Sequence, residues 1–184
     1  MKYPKELVLK DGEEAIIRPL EKQDEQLLRQ FYTDIPEDDR WFMKYDVMDP
    51  VVIRKWLDAV GTDRVFSTVA LHEGAIIAHA ALFMQSFGCT KHIGRLRIIV
   101  MPEFRHKRLG SWMLLNLIRF AMEKGLEELR ADFVIGKEDV AIEGAQKLDF
   151  FKKAVLEDYV IDPQGKRYDL MIMVKRLHKD WGDF

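Results

Sequence analysis

Residues 97–111 decide the fold and read Arg97-Ile98-Ile99-Val100-Met101-Pro102-Glu103-Phe104-Arg105-His106-Lys107-Arg108-Leu109-Gly110-Ser111. An apolar run ends at a proline, a short basic turn follows, and a long apolar segment then begins. This pattern predicts a strand, a loop and the N-terminus of a helix. The first turn of a helix has unpaired N–H groups and the positive end of the helix dipole, so we expect the loop to bind an anion such as a phosphate.

The overall composition favours one soluble domain over residues 1–184. Apolar residues make up 48% of the chain and charged residues 33%, which suits a sizeable core. The formal net charge of −2 gives no reason to expect nucleic acid or an anionic membrane as a partner, so the basic turn is a local feature. We find no signal peptide and no apolar run of the roughly 20 residues that a membrane helix needs, which favours a cytoplasmic location.

The chain has a single cysteine, Cys89. An intrachain disulfide and a cysteine zinc site are therefore excluded, and we expect no metal. Nothing near Cys89 in the sequence looks like a paired base, so we interpret it as a loop residue rather than as a nucleophile.

Hydrophobic periodicity predicts a mixture of helices and strands. Helices are predicted over residues 22–32, from 34 onward, and over 51–60, 109–124 and 139–148. Strands are predicted over residues 65–72, 75–84, 95–100, 128–135, 150–161 and 167–174, after an N-terminal hairpin around Lys10-Asp11-Gly12. Gly125 is placed to end the fourth helix. The order of elements indicates an α+β, or mixed α/β, fold.

This order, together with the segment Val100 to Ser111, resembles the GNAT superfamily of acetyl-CoA-dependent N-acetyltransferases over nearly the whole chain. The family's loop, Arg/Gln-x-x-Gly-x-Gly/Ala, follows a strand that ends in Val-x-Pro. Here Val100-Met101-Pro102 matches the strand end, and residues 105–110 match the loop except at Arg108, where the family has glycine. The resemblance implies a mostly antiparallel sheet with flanking helices and splayed strands at the cofactor site. The alternative is an ordinary strand–helix connection with a solvated charged turn.

The resemblance implies acetyl-CoA as cosubstrate and specific roles for the loop and the strand before it. The CoA pyrophosphate would lie on the backbone N–H groups of Arg105, His106, Lys107, Arg108, Leu109, Gly110 and Ser111. The backbone of Ile98, Ile99 and Val100 would pair with the pantetheine arm. Arg108 either contacts a phosphate or obstructs it. We favour the contact, because a cation is attracted to an anion site and the first turn of a helix does not require a positive φ.

The family's catalytic positions are substituted in this chain. Aligned on the end of the strand, the usual glutamate base falls at Arg95. Aligned on the end of the later helix, the usual tyrosine acid falls at Ala145, the helix-start asparagine at Glu138 and a glycine at Asp149.

Substitute groups for proton transfer are present. Tyr159 is a candidate acid and His79 a candidate base, although strands favour aromatic residues and a strand histidine is often only hydrogen-bonded. Glu138 is a further candidate base, although helix starts favour acids for dipole reasons alone. We expect His92 and His106 to be solvated.

In the family, the early helices line the acceptor pocket. The segment from Asp34 to Tyr45 combines acids with aromatic residues, which would suit a cationic amine; otherwise it is a helix-capping cluster followed by a buried aromatic face. The last strand pair resembles those of superfamily members that act on small amines or protein N-termini, and it does not choose between them.

The sequence therefore predicts an enzyme that transfers an acetyl group from acetyl-CoA to a primary amine of a small molecule, protein or peptide by direct attack. The substituted positions keep open a non-catalytic acyl-CoA-binding sensor or interaction module on the same fold. A phosphate-anchored nucleic-acid module is disfavoured by the net charge of −2. A homodimer is compatible with the resemblance.

Overall fold

An eight-stranded sheet runs through residues 2–177, the part of the chain that the computed structural model describes. The strands are β1 (Lys5–Val8), β2 (Glu14–Pro19), β3 (Val65–His72), β4 (Ala75–Phe83), β5 (Ile93–Val100), β6 (Glu128–Val134), β7 (Phe151–Ile161) and β8 (Arg167–Arg176). The helices are α1 (Glu25–Asp34), α2 (Glu37–Trp41), α3 (Pro50–Asp58), α4 (Leu109–Glu123) and α5 (Asp139–Gln146). The spatial order is β1-β2-β3-β4-β5-β6-β8-β7, and only β5 and β6 run parallel. The predicted mixed, mostly antiparallel fold is confirmed.

Alternation along the strands divides the core between the two faces of the sheet. Ala80 and Leu82 of β4 belong to the same buried cluster as Leu117 of α4. On the opposite face, Val69 of β3 belongs to a second cluster with Phe31 of α1. Helices α1 and α3 therefore cover one face, and α4 and α5 cover the other.

Most element boundaries lie within two residues of those predicted. The largest differences are at α1 and α2. Helix α2 begins at Glu37 rather than at residue 34, and α1 begins at Glu25 rather than at residue 22 because Lys22–Asp24 forms a 3-10 turn. Asp24 stabilises that turn: its carboxylate accepts the Glu21 N–H at 2.8 Å and pairs with Arg18 at 2.7 Å. Helix α4 ends close to the predicted position, and Gly125 follows it with a φ of +73°.

The parallel strands β5 and β6 separate soon after they begin. Their pairing covers only three positions and ends at Arg95 with Arg130. Beyond that point β5 remains paired with β4 through Val100, and β6 remains paired with β8 through Val134. A wedge-shaped gap therefore opens in the sheet between residues 96–100 and residues 131–134. This is the splayed pair of strands that the resemblance implied.

Gly94, in the short stretch where β5 and β6 pair, is too closely packed by leucines to accept a side chain. A Cβ there would lie 2.7 Å from Leu82 Cδ1, 2.8 Å from Leu126 Cδ1 and 3.0 Å from Leu129 Cδ2. We expect Gly94→Ala to lower the free energy of unfolding by about 1–3 kcal/mol, because these packed leucines must shift. Urea denaturation measures the change. The matched control is Gly144→Ala in α5, where a Cβ would meet nothing within 4 Å and should add about 0.5–1 kcal/mol. Equal stability of the two variants would contradict the packing argument.

Candidate active site

The basic loop turns sharply before α4. Arg108 caps the helix with a φ of +67°, in the left-handed region, and His106 has a φ of +60°. The expectation that Arg108 would adopt helical dihedrals is therefore wrong. The chain must reverse direction between the end of β5 and the start of α4, and the turn places Arg108 where glycine is favoured, at a cost of about 1–2 kcal/mol for a residue with a Cβ.

The start of α4 presents open hydrogen-bond donors. Within residues 2–177, the backbone N–H groups of Leu109, Gly110 and Ser111 have no acceptor in a well-formed hydrogen bond. Arg108 is exposed and forms no ion pair with a described residue, so its guanidinium is available beside these donors. Open amides, the helix dipole and a nearby cation are what a phosphate group requires.

The other two long cations of the loop are paired within the chain. Lys107 Nζ lies 2.6 Å from Asp11 Oδ2 and 2.7 Å from Glu13 Oε2, in the turn between β1 and β2. Arg105 pairs with Asp39 at 2.6 Å, and its Nε donates to the Val100 carbonyl at 3.0 Å. The loop is therefore attached to the N-terminal hairpin and to α2 rather than lying free in solvent.

A cavity of about 480 Å³ lies on the face of the sheet that carries α1 and α3. Its walls include three aromatic side chains, Tyr32, Tyr45 and Trp56. Its floor includes His79 of β4 and Ile99 of β5, which pair with each other across the two strands. The cavity thus reaches the strand that borders the wedge-shaped gap.

His79 lies at the inner end of this cavity and is only 4% exposed. Its Nδ1 hydrogen-bonds with the Tyr32 hydroxyl at 2.7 Å, and its Nε2 with the Ser67 hydroxyl at 3.3 Å. Burial lowers the pKa of His79 to about 4 and raises the pKa of Tyr32. The imidazole is therefore neutral at pH 7, both ring nitrogens are engaged, and its affinity for a proton is low.

Tyr159, the candidate acid, lies on the outermost strand, β7. It is 65% exposed, beside a register shift between Leu156 and Val160. Strands β6 and β8 lie between β7 and β5, and Tyr159 does not line the cavity. The structure does not bring Tyr159 and His79 together.

Glu138 lies at the edge of the wedge-shaped gap. Its Oε2 accepts the N–H of Val134, the last residue of β6, at 2.7 Å. The next N–H, that of Ile135, donates to Asp169 on the β8 side, so the Val134 N–H points the other way, toward β5. Burial raises the pKa of Glu138, partly offset by this N–H and by Arg97. Glu138 does not line the cavity, but a half-buried carboxyl with a raised pKa beside an open strand edge is suited to proton transfer.

The sequence interpretation named Arg95 only as the position of the family's base and did not identify a charged wall in the cavity. Arg95, Arg97, Arg130 and Asp132 line it, and Arg130 binds Asp132 through a two-point contact of 2.7 and 3.0 Å. Because Leu129 and Ala131 of β6 are buried on the opposite face, alternation places Arg130 and Asp132 together on this one, but it does not show that this face lines a cavity. The wall of the cavity is consequently rich in arginine.

The acidic residues of the early segment lie elsewhere. Asp34, Glu37 and Asp38 are exposed and do not line the cavity, while Lys44 and Tyr45 do. The expected buried aromatic face is also wrong, since Trp41 is 48% exposed and donates its indole N–H to the Ile161 carbonyl at 2.8 Å. Helix α2 packs against the end of β7, which leaves this ring at the surface.

The structure also shows the exposure or backbone conformation of the other residues considered in the sequence analysis. Ala145 is buried, and Asp149 replaces the family's glycine with a φ of +61°. Cys89 is exposed in the loop between β4 and β5, as predicted. His92 and His106 are exposed, as expected. In residues 2–177 no group of three or more histidine, cysteine, aspartate or glutamate residues is placed to hold a metal, and no helix is long and apolar enough to cross a membrane.

The family model for the acetyltransferase (GNAT) family matches residues 25–150. The chain belongs to this family. No curated protein sequence matches the chain. The substituted loop and the arginine-lined cavity are therefore features of a member of the GNAT family.

Solved structures share the GNAT fold at low sequence identity. The protein yncA from Salmonella typhimurium, solved with its cofactor acetyl-CoA, has a TM-score of 0.77 at 20% identity, covering 91% of this chain and 96% of its own. A ribosomal-protein-alanine N-acetyltransferase from Brucella melitensis has a TM-score of 0.75 at 23% identity, covering 88% and 99%. The GNAT domain of PAT from S. lividans has a TM-score of 0.76 at 18% identity, covering 96% and 100%.

Proposed function

We propose that this protein is an N-acetyltransferase that moves the acetyl group of acetyl-CoA to a primary amine by direct attack. One observation carries the proposal: the gap between β5 and β6 has the open N-terminus of α4 at one end and a cavity on the opposite face of the sheet. A nucleotide thioester and an amine can thus reach the same strand from different sides. Membership of the GNAT family and the acetyl-CoA bound to yncA support the choice of cofactor.

The chain has the groups that acetyl-CoA requires. We propose that the pyrophosphate is held by the loop and first helical turn, from Arg105 through His106, Lys107, Arg108, Leu109 and Gly110 to Ser111. The pantetheine arm then lies along Ile98, Ile99 and Val100, whose edge toward β6 is unpaired. Bound acetyl-CoA supplies an acetyl group activated as a thioester.

We propose Glu138, rather than His79, as the group that takes the proton from the attacking ammonium. Its carboxyl has a raised pKa and lies where β6 faces the gap, whereas His79 has a pKa of about 4 and both nitrogens engaged. His79 then positions Tyr32 and the floor of the cavity. When the C–S bond breaks, the thiolate takes a proton from water, since thiols with a pKa of about 8.5 leave without a dedicated acid such as Tyr159.

Thermal and chemical denaturation with acetyl-CoA test the cofactor. At about 100 times its Kd, acetyl-CoA should add roughly 2.7 kcal/mol to the free energy of unfolding. Release of free thiol in the presence of primary amines then tests the reaction. Binding without thiol release from any amine would favour the non-catalytic sensor, and absence of binding would overturn both readings.

Replacing Arg108 by glycine should change stability and affinity in opposite directions. Glycine relieves the left-handed backbone at a φ of +67°, so stability should rise by about 0.5–1 kcal/mol. Loss of the guanidinium should weaken acetyl-CoA binding about tenfold, measured by calorimetry. Arg108→Asn is the matched control, because asparagine tolerates this conformation without a charge and should also bind acetyl-CoA weakly. Tighter binding by both variants would show that the arginine obstructs the loop.

Glu138→Gln tests proton transfer. Glutamine keeps an oxygen that accepts the Val134 N–H, so fold and acetyl-CoA affinity should change little. The turnover rate should fall by about 100-fold, the lower end of what a positioned base contributes. The acidic limb of the rate–pH profile, where wild-type Glu138 becomes protonated, should disappear. An unchanged profile in the variant would assign the proton to another group.

A further inference from the structure

The charge of the cavity is opposite to that expected for a pocket that selects cationic amines. Its lining carries five cations, Lys44, Arg64, Arg95, Arg97 and Arg130, and one carboxylate, Asp132. The whole chain, by contrast, has a formal net charge of −2. The cavity is therefore a local concentration of positive charge, in addition to the basic loop.

Within residues 2–177, two of the four arginines have no internal partner, and Lys44 lies over the Tyr45 ring, 5.6 Å from its centroid. Arg130 is paired with Asp132, and Arg97 donates to the Phe42 carbonyl at 2.9 Å. Arg64 and Arg95 form no ion pair or side-chain hydrogen bond within the described residues, although both line the cavity. Both residues are exposed, so solvent screens most of the repulsion between their guanidinium groups. What remains open is their hydrogen-bonding capacity: an anion bound between them would accept charge-assisted hydrogen bonds from both.

The distances of the cavity arginines from Ile99, along the strand where the acetyl group would react, fit a small molecule with two functional groups. At about 3.3 Å per strand residue, Arg97 lies ~7 Å and Arg95 ~13 Å along β5 from Ile99. All three side chains line the same cavity. An amine at Ile99 would thus have cationic groups within reach of an anion a few bonds away.

We propose that the acceptor is a primary amine that also carries a carboxylate or phosphate group, and that Arg95 and Arg64 bind this anion while the amine faces Ile99. The proposal rests on the proposed acetyl transfer and adds the chemical class of the acceptor. Arg130, held by Asp132, borders the same anion site. Polyamines, and amines that carry no anionic group, are poor ligands for such a wall.

The test compares amines that differ in the second group: propylamine, 4-aminobutyrate, O-phosphoethanolamine and spermidine. Thiol release gives kcat/KM for each with the wild type, Arg95→Gln and Arg64→Gln. Arg54→Gln is the matched control, because Arg54 is an exposed arginine of α3 outside the cavity.

We expect kcat/KM for one of the two anionic amines to exceed that for propylamine by about 10- to 100-fold, the range for charge-assisted hydrogen bonds. The ratio of kcat/KM for this anionic amine to kcat/KM for propylamine should fall about tenfold in Arg95→Gln and Arg64→Gln and stay constant in Arg54→Gln. The better of the two anionic amines identifies carboxylate or phosphate.

Calorimetry separates this proposal from the proposed function. The Kd of each anionic amine is measured in the presence of CoA, without turnover, and the Kd of acetyl-CoA in parallel. Binding that depends on Arg95 and Arg64 but yields no thiol release would sustain the acceptor class and overturn the catalysis. Preference for spermidine or propylamine would overturn the proposed acceptor class, while the proposed acetyl transfer would still stand. Weaker acetyl-CoA binding in the cavity variants would assign these arginines to the cofactor and overturn the proposal.

Discussion

The early separation of β5 from β6 is the constraint on which the rest of the site depends. Two parallel strands that part after Arg95 and Arg130 leave backbone N–H and C=O groups without partners, and each such group costs about 1–3 kcal/mol if it is buried unpaired. The chain satisfies only some of them. Arg105 donates to the Val100 carbonyl, and Glu138 accepts the Val134 N–H. The basic loop and the start of α5 are thus both tied to the gap, while the groups between them stay open to a ligand.

Features set by local chemistry were predictable from sequence. The glycine after α4, the apolar β3 and the strand–loop–helix around Pro102 each follow from residues close to one another in the chain. The conformation of Arg108 does not follow in this way, because a side chain was expected to take ordinary helical dihedrals and the reversal of the chain at this turn places it at φ +67°. The role proposed for Glu138 depends on register, since it is the pairing of Ile135 with Asp169 that turns the Val134 N–H toward β5.

The candidate site was harder to predict because it depends on strand order and on which face each helix covers. Tyr159 and His79 were chosen for their chemistry, yet β8 inserts between β6 and β7 and leaves Tyr159 at the sheet edge. Alternation alone places Arg95 and Arg97 on one face of β5. It does not show that this face lies over a cavity below α1 and α3, which requires long-range packing. The arginine wall therefore emerged only from the three-dimensional arrangement.

The pairing of Lys107 with Asp11 and Glu13 has a consequence for how the loop responds to salt. Lys107 and Arg105 already have carboxylate partners inside the chain, so they release few bound counter-ions when an anionic ligand arrives. Attraction then comes chiefly from the fixed dipoles of backbone amides and from Arg108, and it acts at contact distance. Mobile ions screen such short-range contacts much less than they screen charges separated by the ~8–10 Å Debye length of physiological solutions. If the loop holds a phosphate as proposed, its retention should therefore change little with moderate changes in ionic strength.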